Sequence, residues 1–247
     1  MKSHNGEKIA KIIANAGVCS RRDAESLIKS GRVEVNGKTL RNCEIRLFST
    51  NNILVDGEKI PEKEHPRLWR FHKPAGLVTT HKDEKNRITV FSKLPKYLPR
   101  VISIGRLDIN SEGLLLLTNN GSLANKLAHP SLGWTRRYRV RVHGKVNNKL
   151  LDKVRNGITI SNFNYKPIHI AINNQNSTNT WLTLTLKEGK KREIRIIMDH
   201  IGLSVNRLIR ISFGPFQLGS LEPERISEVP NKTLKEQLGK IILVNKN

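Results

Sequence analysis

Apolar residues near the start of the chain recur at helical spacing. They fall every three or four positions from Ile9 to Ala16, and a glycine follows at the position that commonly ends a helix. Ser20, with Asp23 three residues later, is a capping-box-like start for a second helix, which Gly31 ends. The pattern therefore predicts two short amphipathic helices.

A hairpin signature follows the helices. Residues from Val33 alternate between apolar and polar, and the next pair, Asn36-Gly37, is preferred in type I′ turns. Residues 58–66 are charged and proline-flanked without periodicity, which is typical of a linker. We expect a small helix-helix-hairpin domain over residues 1–57 and a linker over 58–66.

Beyond Pro66 the pattern changes to short strand-like runs separated by turns, with helices inserted. Strands are predicted at 68–71, 101–104, 114–118, 137–142, 158–160, 168–172, 181–186 and 208–217. Helices are predicted at 122–129, at 147–155 and from the basic turn 188–192 to Gly202, with a helix or strand from Asn231. This order indicates an α+β fold with a central mixed, largely antiparallel sheet, in a second domain over 67–247.

Two of these strands have distinctive patterns. Leu114–Thr118 is almost wholly apolar, which suits the centre of a sheet buried on both faces. Residues 137–142 alternate arginine with Tyr138 and valines, which predicts one basic and one apolar face.

The charge of the chain indicates which class of partner it binds. The 247 residues hold 44 Lys and Arg against 21 Asp and Glu, a net charge of +23. The first 66 residues, with 12 basic and 9 acidic, contribute +3, and the rest, with 32 and 12, contribute +20. Nucleotide bias in a genome also enriches Ile, Asn and Lys, but arginines at regular intervals, as in RRYRVR, favour a nucleic-acid partner.

Other classes of protein lack support. No apolar run approaches the roughly 18–20 residues that a membrane helix requires, and the polar start, Met1 to Gly6, has no signal-peptide core, so we expect a cytoplasmic protein. Cys19 and Cys43 are far apart and are interpreted as reduced, structural thiols. The histidines have no metal-ligand spacing, so we expect no metal.

The sequence has no acyl-transfer, nucleotide-hydrolysis or dinucleotide motif. One carboxylate stands out: Asp108 lies in a polar loop between apolar strands, in a basic domain that favours its ionised form. Its local residues favour a turn-shaping role over a chemical one. By themselves, Tyr138 also suits a core position and Arg195 a solvated helix position.

The segment AKIIANAGVCSRRDAESLIKSGRVEVNGK resembles the RNA-binding domain of the ribosomal-protein S-four type. The order of its parts is specific: a helix, a cap with two arginines, a glycine-ended helix and a valine strand into Asn-Gly. The resemblance implies phosphate contacts by Arg21, Arg22, Lys29 and Arg32.

The segment GRLDINSEGLLLLTNNGSLANKLAHP resembles the signature of RNA pseudouridine synthases of the RsuA/RluB family. HKPAG is similar to the first motif of that family, RRYRVRVHG to its tyrosine strand, EGKKREIRIIM to its basic motif and NRLIRISFGPFQL to its closing strands. The similarity covers nearly the whole chain in the same order, and RRYRVRVHGKV and REIR look closer to the RluB side of the family.

The resemblance implies an isomerase that needs no cofactor and acts on a flipped-out uridine. It implies three catalytic residues: Asp108 as the carboxylate, Tyr138 as the active-site tyrosine and Arg195 as a basic partner that pairs with Asp108 and lowers its pKa. Arg195 is expected to share a helix face with Arg192. The implied substrate contacts are Arg106, Ile197, Met198, Arg192 and Lys73, and the implied RNA contacts in this domain are Arg137, Arg139, Lys190 and Lys191. Without the resemblance, Ile197 and Met198 are predicted to be core, and Lys73 either shapes the turn of the first motif or binds RNA.

The sequence departs from the family pattern in two places. Ile196 stands where relatives often have a second arginine, and Asn120 stands where Asp is frequent in the Asn-Asp-Gly turn. Neither change removes a catalytic group, but both leave the rRNA target open. We expect a monomeric, site-specific rRNA uridine isomerase, with large-subunit rRNA, free or within a pre-ribosomal particle, as first choice. The alternatives are small-subunit rRNA, or a non-catalytic ribosome-assembly factor on the same fold.

Overall fold

A computed structural model gives the fold and describes residues 6–48, 52–176 and 178–243. Contacts divide the chain into two compact units: Met1–Arg67 with Lys96–Ile102 and Asn119–Gly121, and Leu68–Pro95 with Ser103–Thr118 and Ser122–Asn247. The predicted domain ranges also include residues 1–5, 49–51, 177 and 244–247, which lie outside the described residues. No helix within the described ranges is long and apolar enough to cross a bilayer.

Among its described residues, the first unit contains two helices and six short strands. In chain order these are β1 (Glu7–Lys8), α1 (Ile9–Asn15), α2 (Arg21–Lys29), β2 (Val33–Val35), β3 (Lys38–Leu40), β4 (Arg46–Leu47), β5 (Ile53–Val55) and β6 (Glu58–Lys59). Strands β3, β2, β5 and β6 form an antiparallel sheet in that order, and β1 pairs with β4. The helical stripe, including Ile9, Ile13 and Ile28, is buried together with Val33.

Local contacts explain how this unit folds. Ser20 Oγ accepts a hydrogen bond from the amide of Asp23 at 3.1 Å, which caps α2 as predicted. Asn36 and Gly37 have φ of 51° and 77°, so both central residues of the β2–β3 turn are left-handed, as a type I′ turn requires. Glu58–Lys59 is a strand paired with β5 rather than linker, because a short exposed edge strand needs no apolar alternation.

The second unit contains the remaining elements. In chain order these are β7 (Leu68–Lys73), β8 (Ile102–Ile104), β9 (Glu112–Thr118), α3 (Gly121–Ala128), β10 (Arg136–His143), α4 (Asn148–Arg155), β11 (Ile158–Ile160), β12 (Phe163–Tyr165), β13 (His169–Gln175), β14 (Asn179–Leu186), α5 (Glu193–His200), β15 (Ser204–Phe213), β16 (Phe216–Gln217), β17 (Ile226–Glu228) and α6 (Asn231–Leu243). The predicted elements are therefore present with shifted ends, and the C-terminal segment is a helix.

The central sheet has the order β13-β14-β10-β15-β9-β7-β17, with β16 added to β15 and β8 to β9. Strands β15 and β9 pair in parallel, and the other pairs along the sheet are antiparallel. The predicted mixed, largely antiparallel sheet is thus confirmed. Strand β9 is buried from Gly113 to Thr118 because it lies between β15 and β7 and both of its faces are covered.

One face of β10 carries the core. Val140 and Val142 are fully buried and belong to the same apolar cluster as Ile197 and Met198 of α5 and Leu151 of α4. The intervening arginines of β10 are exposed, which confirms the predicted alternation of a basic and an apolar face.

Gly113 allows the parallel strands to approach each other. It lies opposite Arg210 in the register, has φ of 100°, and a Cβ built on it would lie 2.3 Å from the carbonyl oxygen of Arg210. No side chain fits at that distance without moving β15 away from β9.

We predict that Gly113→Ala lowers the free energy of unfolding by more than about 2 kcal/mol, because a left-handed conformation and a backbone clash both oppose the methyl group. Gly219→Ala is the matched control, since Gly219 also has a positive φ but no atom within 4 Å of the position that a Cβ would take. Urea denaturation measures both variants. Equal losses of unfolding free energy in the two variants would show that the close approach of β15 to Gly113 does not add to the destabilisation.

Candidate active site

A cleft of about 370 Å³ lies in the second unit, where the GRLD loop meets β10, β15 and the segment before α5. Six of the predicted site residues line it together with residues that the sequence did not single out. The predicted ones are Arg106, Asp108, Tyr138, Arg192, Lys190 and Lys191.

The loop that carries Asp108 has every main-chain carbonyl from Leu107 to Ser111 bound. Thr79 Oγ1 donates to Leu107 O at 2.9 Å, the amide of Ser111 to Asp108 O at 3.0 Å, and the amide of Gly76 to Ile109 O at 2.8 Å. The carbonyl oxygens of Asn110 and Ser111 accept hydrogen bonds from two cationic side chains, Arg195 and Lys73. The loop is therefore held through its backbone, and the half-buried side chain of Asp108 is free to face the cleft.

Lys73 at the end of β7 is one of these cations. Its side chain is fully buried, and Nζ donates to Ser111 O at 2.8 Å, Ile109 O at 3.3 Å and Pro74 O at 2.9 Å. Burial lowers the pKa of Lys73 to about 8, while the charges of Asp108 and Glu112 act in the opposite direction. Lys73 thus holds the loop, which agrees with the turn-shaping alternative, and it does not line the cleft as a substrate contact would.

Arg195 of α5 is the other cation. Its Nη2 donates to Asn110 O at 2.9 Å and its Nη1 to Val205 O at 3.0 Å, so the guanidinium binds the backbone next to Asp108 instead of forming the predicted ion pair with it. Burial lowers the pKa of Arg195, as does the nearby charge of Arg192, and the charge of Asp108 opposes both. Asp108 and Arg195 therefore interact electrostatically at a distance.

Tyr138 reaches the cleft because of the strand period. It shares a face of β10 with Val140 and with Arg136, which also lines the cleft. In the register of the sheet Tyr138 lies opposite Arg210 of β15, another lining residue. Directly opposite residues on one face have Cβ atoms about 5 Å apart, so these two side chains are neighbours.

The basic segment before α5 is a turn and not helix. Arg192 has φ of 54°, and α5 begins at the next residue, so Arg192 and Arg195 do not share a helix face. Lys191 and Arg192 are exposed. Lys190 donates to Glu188 at 3.0 Å and to the carbonyl oxygen of Asn164, which leaves it less available to RNA than predicted.

Glu193, the first residue of α5, is a buried acid on the cleft wall. Its Oε2 accepts a hydrogen bond from the amide of Lys190 at 2.9 Å, and Oε1 is buried without a partner. Burial raises the pKa of Glu193 to about 7, with the nearby carboxylate of Glu188 adding to the effect. The carboxyl group therefore fixes the turn that presents Lys191 and Arg192.

Ile197 and Met198 were predicted to line the substrate pocket, but both are fully buried in the core under β10. They lie one turn further along α5 than Ile194, the apolar residue of this helix that lines the cleft. Leu186 and Leu208 complete the apolar part of the wall.

Arg137 and Arg139 lie on the face of β10 opposite Tyr138, so they are not part of the cleft. Both are exposed, and the guanidinium of Arg139 lies 4.6 Å from the ring centroid of Trp181. Their predicted contact with RNA stays a prediction.

In the first unit, Arg21, Arg22 and Lys29 are exposed on α2. Arg32, also predicted to bind phosphate, donates through Nε and Nη2 to both carboxylate oxygens of Asp56 at 2.6 Å, so its charge is already paired. Arg21 also lines a depression of about 440 Å³ with other basic residues, namely Lys8, Lys11 and Arg46.

Four charged residues of the cleft were missed by sequence reasoning. Arg136 had a usable signal, since it shares the period of Tyr138 and Val140. Glu188, Glu193 and Arg210 had none, because glutamates in a turn or at a helix start and a strand arginine are usually solvated. Within the described ranges no group of three or more His, Cys, Asp and Glu side chains is placed to hold a metal ion.

Comparisons with known proteins agree with this architecture. A family described as RNA pseudouridylate synthase matches residues 67–200, and a family described as S4 domain matches residues 7–42. An uncharacterized RNA pseudouridine synthase of Rickettsia prowazekii is 48% identical over 231 residues, which is 94% of this chain and 97% of the relative.

Two further relatives carry more specific names. Ribosomal large subunit pseudouridine synthase B of Haemophilus influenzae is 41% identical over 86% of this chain and 61% of its own length. The protein of that name from Buchnera aphidicola is 40% identical over 84% and 83%. A crystal structure of a pseudouridylate synthase, 23% identical, covers 94% of this chain and all of its own with a TM-score of 0.65, which supports the fold.

We predict that Lys73→Met lowers the free energy of unfolding by about 2–4 kcal/mol, because it removes the ammonium that donates to the buried carbonyl oxygens of Ser111 and Pro74. Lys145→Met, at an exposed lysine, should change it by less than about 0.5 kcal/mol. Urea denaturation at pH 7 measures both. A loss no larger for Lys73→Met than for Lys145→Met would mean that the ammonium does not hold the loop.

Proposed function

Because the chain belongs to the RNA pseudouridylate synthase family, whose members isomerise uridine in RNA, we propose that it converts one specific uridine of large-subunit ribosomal RNA to pseudouridine. The similarity to ribosomal large subunit pseudouridine synthases B supports the large-subunit target. In this proposal Asp108 is the catalytic carboxylate, and Tyr138 contacts the reacting base.

The observation that carries the assignment of Asp108 is the fixation of its loop. The carbonyl oxygens of this loop all accept hydrogen bonds, so the loop keeps one position. The carboxylate oxygens of Asp108 are not needed to hold it. Preorganised groups of this kind lower the cost of reaching the transition state. The cleft beside Asp108 has a volume in the range of small-ligand pockets, so it suits a single nucleotide that has left its helix or loop.

The reaction conserves all atoms. The bond from N1 to C1′ breaks, the uracil turns, a bond from C5 to C1′ forms, the proton on C5 leaves and N1 gains a proton. No cofactor enters this balance. The carboxylate of Asp108 has three routes, attack on the base, attack on the sugar or removal of a sugar proton, and each needs its ionised form.

Arg195 is proposed to act as a positioning residue. It holds Asn110 O and adds a positive potential near Asp108 without occupying the carboxylate oxygens. We propose that Arg106 and Arg192, which are exposed and line the cleft, bind the phosphates on either side of the target nucleotide.

We predict that deleting the gene removes pseudouridine at one position of large-subunit rRNA and that Asp108→Asn does not restore it. The substitution keeps the shape of the side chain but removes the charge, so the rate should fall by at least about a hundredfold. Pseudouridine mapping of total rRNA is the measurement. Asp199→Asn, at an exposed aspartate of α5, is the matched control and should restore the modification.

The outcomes separate the alternatives. Full restoration by Asp108→Asn would favour a non-catalytic assembly factor. Loss of a site in small-subunit rRNA would keep the enzyme and change its target.

The S4 domain match and the exposed arginines of α2 support an RNA contact by the first unit. We predict that Arg21→Ala combined with Arg22→Ala weakens rRNA binding and lowers the salt slope, log Kd against log salt, by up to about 2, because two phosphate contacts are lost. Lys38→Ala with Lys59→Ala removes the same charge from exposed positions on β3 and β6 and should change the slope less. Filter binding between about 50 and about 300 mM salt measures both. An unchanged slope in the arginine variant would assign the RNA contact to the second unit alone.

A further inference from the structure

Arg210 is a buried cation in the wall of the cleft. Only 3% of its surface is exposed, and it lies at the centre of the sheet, opposite Tyr138 on one side and Gly113 on the other. Its Nε donates to Leu114 O at 2.7 Å, and its guanidinium carbon lies 5.1 Å from the ring centroid of Phe213. The side chain is therefore fixed by its neighbours before any ligand binds.

The charge of Arg210 is not satisfied by the protein. Its Nη2 is buried and has no hydrogen-bond partner, and no carboxylate forms an ion pair with it within the described part of the chain. A buried guanidinium without a counter-charge is strongly unfavourable, and one backbone hydrogen bond with one aromatic ring offsets little of this. A partner for the remaining donors is therefore expected from whatever fills the cleft.

A second guanidinium increases the positive potential at this end of the cleft. Arg136 lies 4.7 Å from the same Phe213 ring, and its Nη1 donates to Trp134 O at 2.9 Å and to Lys187 O at 3.2 Å. Burial lowers the pKa of Arg136, and the charge of Arg210 contributes to this shift. Arg136 donates to main-chain carbonyl oxygens. Of these two arginines, therefore, Arg210 has the buried donor without a hydrogen-bond partner.

Given the proposed function, the group that meets Arg210 is identified by where charge develops on the substrate. When the N1–C1′ bond breaks, its electron pair stays on the uracil, and the resulting anion shares its charge between O2 and O4. If Asp108 instead adds to C6 of the base, the charge moves to O4. Negative charge thus reaches a carbonyl oxygen of uracil in each route.

We infer that Arg210 donates a hydrogen bond to a carbonyl oxygen of the target uracil and stabilises the negative charge that forms there. A phosphate fits this position less well, because the phosphates stay in the RNA backbone while the base of a flipped-out nucleotide enters the cleft. Tyr138, opposite Arg210 in the register, contacts the same base. Donors fixed before the reaction are the most effective form of such stabilisation.

The test substitutes single atoms of the substrate. A transcript of the rRNA segment around the mapped uridine carries uridine, 2-thiouridine or 4-thiouridine at the target, and single-turnover rates are measured. Sulfur accepts hydrogen bonds weakly, so we expect one of the two thio substrates to react about 10- to 100-fold more slowly with the wild-type protein. With Arg210→Gln the rate on uridine should fall by a similar factor, and the same thio substitution should have no further effect. The Kd for the transcript should change less than about threefold, because the contact forms mainly with the transition state.

A matched control lies on the same strand. Arg207 is exposed on the opposite face of β15 and is paired with Glu112, so Arg207→Gln should keep the wild-type thio effect. Thermal denaturation shows which variants are folded. If Arg210→Gln does not fold, we use Arg210→Lys instead, because lysine keeps the positive charge but not the geometry of the guanidinium. The inference is overturned if neither thio substitution slows the wild-type protein, or if the effect is the same in a folded Arg210 variant.

Failure of the proposed function has a different signature. A wild-type protein that is inactive on the unmodified transcript, or an active Asp108→Asn, would overturn the proposed function and this inference with it. If the wild-type protein is active and Asp108→Asn is inactive, the proposed function stands. The rates on the thio substrates then test the inference about Arg210 alone.

Discussion

The second unit depends on hydrogen bonds to five successive main-chain carbonyl oxygens, those of Leu107 to Ser111. Four of these oxygens accept from donors that lie elsewhere in the chain. Lys73, Gly76 and Thr79 approach from the end of β7 and the segment that follows it, and Arg195 approaches from α5, 85 residues away from Asn110 in sequence. Such a loop has no fixed shape until the sheet and α5 have assembled, because its donors are placed by separate elements. The position of Asp108 is therefore a property of the whole unit and not of its own loop.

The same arrangement explains why two cations are buried beside an acid without neutralising it. Lys73 and Arg195 lose hydration on burial, and each recovers part of that loss from main-chain carbonyls and from the nearby charge of Asp108. With a pKa of about 8, Lys73 stays mostly protonated at pH 7. A direct ion pair would stabilise Asp108 more strongly but would occupy its oxygens. Holding the backbone instead keeps a positive potential near the carboxylate and leaves its oxygens for a substrate.

Periodicity in the sequence was sufficient for most helices and strands, because their apolar faces are buried: β9 between two strands, β10 over α5, and α1 with α2 in the first unit. The same spacing indicates a core position for Ile197 and Met198, which the structure confirms, whereas the resemblance placed them in the substrate pocket. Periodicity was insufficient where burial depends on distant partners. Arg195 is similar to the basic partner of the family, yet only the fold shows that Asn110 and Val205 receive its donors. Arg210 follows from neither source, since its burial arises from strands that are distant in sequence.

The charges of the chain divide into two sets with different physical roles. Exposed arginines, such as those of α2 and of the basic face of β10, interact with phosphates through a screened field, so their contribution falls as salt rises. The buried cations Lys73 and Arg210 and the half-buried Arg195 are shielded from counterions and act over a few ångströms on a loop or on a bound base. RNA affinity and chemical rate should therefore respond to different residues, even though the net charge of +23 counts both sets together.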